Sequence, residues 1–250
     1  IAAESNNGVG IQGAAQSARI LPVKVISASP SEPVRPRSLS DSGATLPSPN
    51  EKDLKAPRFF LGDLVARGIL YALRSNAQII NMSLGWPANL DSPLMKQMIQ
   101  LAEQRNVLIV AAAGNDNTDA LVRPCIYPGV ICVASHDPDG AISHFSNYGS
   151  GVDIAAPGLS ILSTIPLEAT PEVFLTSRGY DYKHGTSMAS PYVAGVLARL
   201  LNAGFSPREA YARIMSSARE TKQSERLNRF KFVNSGNIDL ARAFTVKKQP

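Results

Sequence analysis

Three polar side chains stand where the chain passes from one regular element to the next. Ser187 lies in His184-Gly185-Thr186-Ser187-Met188-Ala189-Ser190-Pro191-Tyr192-Val193-Ala194-Gly195, a glycine-bounded turn at the head of a helix. Asn115 closes the apolar run Val107-Leu108-Ile109-Val110-Ala111-Ala112-Ala113-Gly114-Asn115. Ser83 opens Ser83-Leu84-Gly85 at the end of another such run. A serine at a helix head can be a plain N-cap, a position serine favours. It can also be a nucleophile, because the unpaired N–H groups of a first helical turn offer a place for developing negative charge. One hydroxyl, one amide and two extended backbone edges are the parts of an acyl-transfer site. The hydroxyl attacks, amide and backbone N–H groups hold the oxyanion, and the edges pair with a peptide as an added strand.

Such a serine needs a base within about 2.6–3.2 Å. The chain holds three histidines, His136, His144 and His184. His184 is next to the serine turn, but a residue just upstream in a turn usually points elsewhere, so it is expected to line the cleft or face solvent. His136 and His144 flank the Asp137-Pro138-Asp139-Gly140 turn and read as surface or packing residues. None is assigned as the base.

The elements that position these groups follow from hydrophobic periodicity. Behind Ser187, Val193, Ala194, Val196, Leu197, Leu200 and Leu201 make a helix apolar on almost every face, which marks a buried helix. The run 107–115 and the run 77–85 read as buried strands, with a further strand at 130–134 and short extended segments at 151–157 and 161–165. Residues 19–26 also read as a strand, because Ile20, Val23, Val25 and Ile26 are apolar and β-branched. Helical spacing is found over 59–76 and 93–106, over 206–218 with Pro207 in the first turn, and in a short stretch ending near 243. Strands alternating with helices predict an α/β protein with a largely parallel sheet and helices on both faces. Ligands of such sheets bind beyond the carboxyl ends of the strands, where all three polar groups fall.

The 250 residues suffice for one large domain or two small ones. The net charge of +5 comes from scattered residues, and with 6% aromatics it gives no reason to expect nucleic-acid binding. No stretch is long and apolar enough to span a membrane, and no signal peptide is visible. Residues 27–57 hold six prolines and seven serines, so they read as a loosely packed insertion. Cys125 and Cys132 flank a Tyr127-Pro128-Gly129 turn. That turn favours a local disulfide over two buried free thiols, and the lack of companion ligands argues against a metal site. A disulfide would point to an oxidising compartment.

The motifs together resemble those of the subtilisin-like serine peptidases, the subtilases. The matching pieces are Ile80-Asn81-Met82-Ser83-Leu84-Gly85, Ala111-Ala112-Ala113-Gly114-Asn115 and Gly185-Thr186-Ser187-Met188-Ala189-Ser190-Pro191. Weaker support comes from Asp153-Ile154-Ala155-Ala156-Pro157-Gly158 and Asn6-Asn7-Gly8-Val9-Gly10. The resemblance implies a three-layer α/β fold. It implies a catalytic domain over 1–244, incomplete at its N-terminus, with the 27–57 insertion and a tail at 245–250. It makes Ser187 the nucleophile and Asn115 the oxyanion donor, with Ser83 to Gly85 and Ala111 to Gly114 as walls of the substrate pocket. Val122 and Arg123 are expected near the floor of that pocket, and Met188 beside the nucleophile. It also implies a structural Ca²⁺ held by Glu4, Asn7, Val9 and Ile11, and a secreted or extracytoplasmic enzyme acting on protein or peptide substrates.

One departure stands out. The family works with Asp, His and Ser in that order, and no Asp or His motif precedes the serine here. The resemblance places both on an upstream segment, just before residue 1. Without it, the chain would be a pseudoprotease or fragment that binds peptides or partners through the same cleft. An unrelated α/β hydrolase fits worse, because Ala189 stands where a second glycine belongs and no histidine follows Ser187.

Overall fold

The apolar runs form strands wherever both of their faces can be covered. The computed structural model describes residues 1–26, 61–87, 90–166, 179–222 and 233–245. The insertion at 27–57 lies outside them, as do residues 246–250 of the tail. Strands β1 (Ile79–Met82), β2 (Leu108–Ala112), β3 (Val130–His136) and β4 (Ile154–Pro157) make a parallel sheet in the order β1-β2-β3-β4. Ile80 pairs with Ile109, Val110 with Ile131 and Val133 with Ile154.

Alternate residues of each strand face opposite cores, as the two-residue strand period requires. Ile109, Ala111, Ala113, Cys132 and Ala134 pack with Val65 and Ile69 of α1 (Leu61–Arg74) and with Met95 and Ile99 of α2 (Pro93–Gln104). Val110, Ile131 and Val133 pack on the other side with α3 (Thr186–Asn202), α4 (Pro207–Ser217) and α5 (Leu240–Thr245). The result is the expected three-layer α/β arrangement. Apart from residues 19–26, the expected helices and strands are present with ends moved by a few residues. Helix α3 is the buried one: Val193, Val196, Leu197 and Leu200 are inaccessible to solvent, and the helix lies across all four strands. Ser206 and Glu209 close a capping box that starts α4, with Pro207 in its first turn.

Two readings are corrected. Residues 19–26 are not a strand but irregular and mostly exposed chain, with Ile20 and Ile26 each more than half accessible. Pro22 removes a ladder N–H in the middle of the run, and apolar character alone does not supply a pairing partner. A strand not foreseen, β6 (Tyr180–Lys183), pairs antiparallel with β5 (Ile161–Thr164). Of the two outcomes left open for the cysteines, the structure has the disulfide, which joins Cys125 to Cys132 in β3. Among the described residues, no helix is long and apolar enough to cross a membrane.

His136 ends β3 half-buried, and its Nδ1–H donates to the Asp137 carbonyl at 2.8 Å. It is a packing residue, and burial holds its pKa below the ordinary value of 6.5. The folded state therefore prefers the neutral ring, while the unfolded chain takes up a proton first as the pH falls. Stability due to this site is complete above pH 6.5 and declines below it. We expect the thermal midpoint to drop between about pH 7 and pH 5, and His136→Gln to flatten that drop. Leu197→Ala should cost about 2–5 kcal/mol in denaturant unfolding, because a fully buried leucine leaves a cavity.

Candidate active site

All four parallel strands end on the same edge of the sheet, and α3 begins there. Gly185 precedes the helix with φ 144°, a value that suits glycine. Its N–H donates to Gly158 O at 2.8 Å, just after β4. Gly158 must be glycine for that approach, since a Cβ there would lie 2.7 Å from Gly185 O. The turn thus rests on the end of β4, and Ser187 follows half-buried in the first turn of α3.

Ser187 Oγ donates to Ser83 O at 3.4 Å, across the end of β1. A second contact runs the other way: Ser83 Oγ donates to Ser187 O at 2.9 Å. The reason lies four residues along. Pro191 sits inside α3 and has no N–H, so the Ser187 carbonyl lacks its usual partner four residues along. The Ser83 hydroxyl replaces it. Asn81 and Ser190 brace Ser83 from behind, with Asn81 Nδ2 donating to Ser83 Oγ at 3.0 Å and Ser190 Oγ donating to Asn81 Oδ1 at 2.7 Å.

Asn115 is exposed just past the end of β2. Its Oδ1 accepts from Thr186 N at 2.9 Å and from Thr186 Oγ1 at 3.0 Å. Thr186 Oγ1 in turn accepts from Gly114 N at 3.2 Å. One buried threonine therefore fixes which end of the Asn115 amide is free: Oδ1 is engaged and Nδ2 is left as a donor beside the serine turn. The Ser187 N–H lies in the first turn of α3, where N–H groups have no partner inside the helix. Thr186 stands inside the Gly-Thr-Ser motif with no role legible from the sequence alone. Its partners are 71 and 72 residues away, and no local pattern announces them.

Of the expected walls, Ser83 and Leu84 are half-buried and Gly85 is exposed. Ala111, Ala112 and Ala113 are buried within the sheet, so Gly114 and Asn115 are the parts of that segment that reach the surface. Val122 faces Gly85, where a Cβ would come within 2.9 Å of Val122 Cγ2. Arg123 pairs with Trp86 through two backbone hydrogen bonds, and its Nε lies 2.5 Å from Asp91 Oδ2. Its charge is thus paired with Asp91. Met188 is half-buried directly after Ser187.

The hydrogen bonds of His136 and His184 run to partners other than Ser187. His184 is exposed, and its Nδ1 accepts from Ser160 N at 2.8 Å. His144 is exposed and stacks edge-on against Phe145. The loop with Glu4, Asn7, Val9 and Ile11 is open to solvent, and Val9 N donates to Asn7 Oδ1 at 3.0 Å. Those four residues carry carboxylate, amide and carbonyl oxygens, the ligand type that Ca²⁺ takes. Among the described residues, no group of three His, Cys, Asp or Glu could hold a metal ion.

The sequence and the fold have counterparts in known proteins. The chain is 35% identical over 217 residues to thermitase of Thermoactinomyces vulgaris, covering 87% of the chain and 63% of thermitase. It is 35% identical over 203 residues to a thermophilic serine proteinase of Bacillus sp. (strain AK1), covering 81% of the chain and 41% of that protein. The chain therefore spans less than two thirds of either relative. Among solved structures, the patellamide maturation protease PatA superposes with a TM-score of 0.61 at 31% identity, over 73% of this chain and 67% of that one. The prenylagaramide maturation protease PagA gives 0.62 at 28% identity, over 73% and 66%. The subtilase family matches across residues 1–233. On sequence, fold and the arrangement of its motifs, the chain belongs to the subtilase family.

Proposed function

We propose that the protein is a serine endopeptidase in which Ser187 forms an acyl-enzyme with the carbonyl carbon of a peptide bond. Ser187 Oγ attacks that carbon and gives its proton to a base. The tetrahedral oxyanion accepts from Asn115 Nδ2 and from the Ser187 N–H. The C–N bond breaks, the amine leaves with the proton returned by the base, and water then releases the acyl group. Ser83 to Gly85 and Gly114, backed by Ala111 to Ala113, flank the peptide as neighbouring edges. The observation that carries this reading is the orientation of Asn115, with Oδ1 tied to Thr186 and Nδ2 free.

The base is proposed to come from outside these 250 residues, on an upstream segment of the same protein that also bears the Asp. The partners of His136 and His184 support this, because neither side chain is turned to Ser187. Calcium at the Glu4–Ile11 loop is proposed as a structural ion completed by ligands from outside the loop, and no step runs through it. Secretion is proposed from the Cys125–Cys132 disulfide and from relatives such as the extracellular basic protease of Dichelobacter nodosus.

The test is active-site labelling. A fluorophosphonate probe should label Ser187 in the complete protein and barely react with residues 1–250 alone. Equal labelling of both would overturn the external base. No labelling of the complete protein would favour the rival reading, a pseudoprotease that binds peptides through the cleft. In the complete protein, Asn115→Ala should lower kcat by about 10²–10³, the cost known for removing such a donor in a subtilisin. Brief peroxide treatment should also reduce turnover, because a sulfoxide at Met188 puts bulk and polarity beside the nucleophile. Unchanged turnover after complete Met188 oxidation would contradict that placement.

A further inference from the structure

Asn115 is exposed, and an exposed amide on a loop does not by itself hold a fixed direction. Thr186 holds its side chain, yet the backbone beneath must also be fixed for Nδ2 to stay aimed. That backbone is held from the other side by one residue of the segment between β3 and β4. Asn147 is inaccessible to solvent. Its Nδ2 donates to Ala113 O at 2.9 Å, and its backbone N–H donates to Gly114 O at 3.0 Å. Its Oδ1 accepts from Asp116 N at 2.9 Å and from Thr118 N at 3.3 Å. One side chain and its own N–H thus engage residues 113, 114, 116 and 118, with Asn115 at the middle. The fit is close: Gly114 has φ 105°, and a Cβ there would lie 2.4 Å from Asn147 Nδ2.

We propose that Asn147 is a positioning residue for the oxyanion donor, acting through Gly114 and the turn 113–118 to keep Asn115 Nδ2 aimed beside Ser187. This rests on the acyl-transfer reading above. A donor that is already oriented has no reorganisation to make as charge develops, which is where its catalytic value lies. Asn147 touches neither substrate nor the reacting atoms, so its effect runs entirely through Asn115.

A double-mutant cycle in the complete protein tests it, with Asn147→Ala, Asn115→Ala and the pair, reading kcat and KM on one peptide substrate. We expect Asn147→Ala to lower kcat about tenfold with KM changed less than twofold. In the Asn115→Ala background the same substitution should lower kcat less than twofold, because the donor it orients is gone. A merely structural asparagine would cost the same factor in both backgrounds, and that result overturns the proposal. An unchanged kcat for Asn147→Ala overturns it too. If Asn147→Ala does not fold, Asn147→Ser, which keeps a small polar side chain, carries the same cycle with the same criteria. If Asn115→Ala itself leaves kcat unchanged, the oxyanion reading fails and this inference with it. If Asn115→Ala is impaired but shows no coupling to residue 147, this inference alone fails.

Discussion

The packing of α3 against the parallel sheet is the constraint on which the rest depends. The helix can be buried because almost every face is apolar, and it lies across all four strands. A buried helix cannot slide without opening gaps in a close-packed core. Its first turn is therefore fixed relative to the strand ends, and three sets of polar contacts cross that one junction. Thr186 meets Asn115 and Gly114 past β2, Ser187 meets Ser83 past β1, and Gly185 meets Gly158 past β4. The hydrophobic face sets the position to within the tolerance of packing. The hydrogen bonds then select single orientations of side chains within it.

The polar part of the site contains hydroxyls, amides and backbone groups. Arg123 is engaged with Asp91. A neutral hydroxyl in such surroundings is a weak nucleophile until a base takes its proton. The same surroundings suit the later stage, when charge develops on the substrate oxygen and is met by oriented dipoles. On the proposed mechanism, stabilisation of the oxyanion and activation of the serine are separate, and the described residues supply oriented donors for the first.

Much of this was legible in the sequence, and the reasons are specific. The all-apolar face of α3 and the unbroken run of β2 are strong local signals, so their elements and the buried layer between them follow directly. Ser187, Asn115 and Ser83 stand at element ends, where the change of pattern itself draws notice. Residues 19–26 misled because β-branched residues imply strand only where a partner and a continuous ladder exist, and Pro22 breaks the ladder. Strand β6, Tyr180-Asp181-Tyr182-Lys183, carries charged and aromatic residues and owes its existence to pairing with β5. Thr186 and Asn147 were hidden for another reason. A threonine and an asparagine are common residues, and their meaning lies in partners some 30 to 70 residues away.

Pro191 exchanges one kind of bond for another. In an ordinary helix the carbonyl of residue 187 would bond within its own turn and leave the neighbouring strand free to drift. Here the missing N–H hands that carbonyl to a hydroxyl on the end of β1. Ser187 and the end of β1 are thereby joined through the main chain of the serine itself. One contact therefore sets the helix head and the strand end relative to each other, where an unbroken helix would have left them independent.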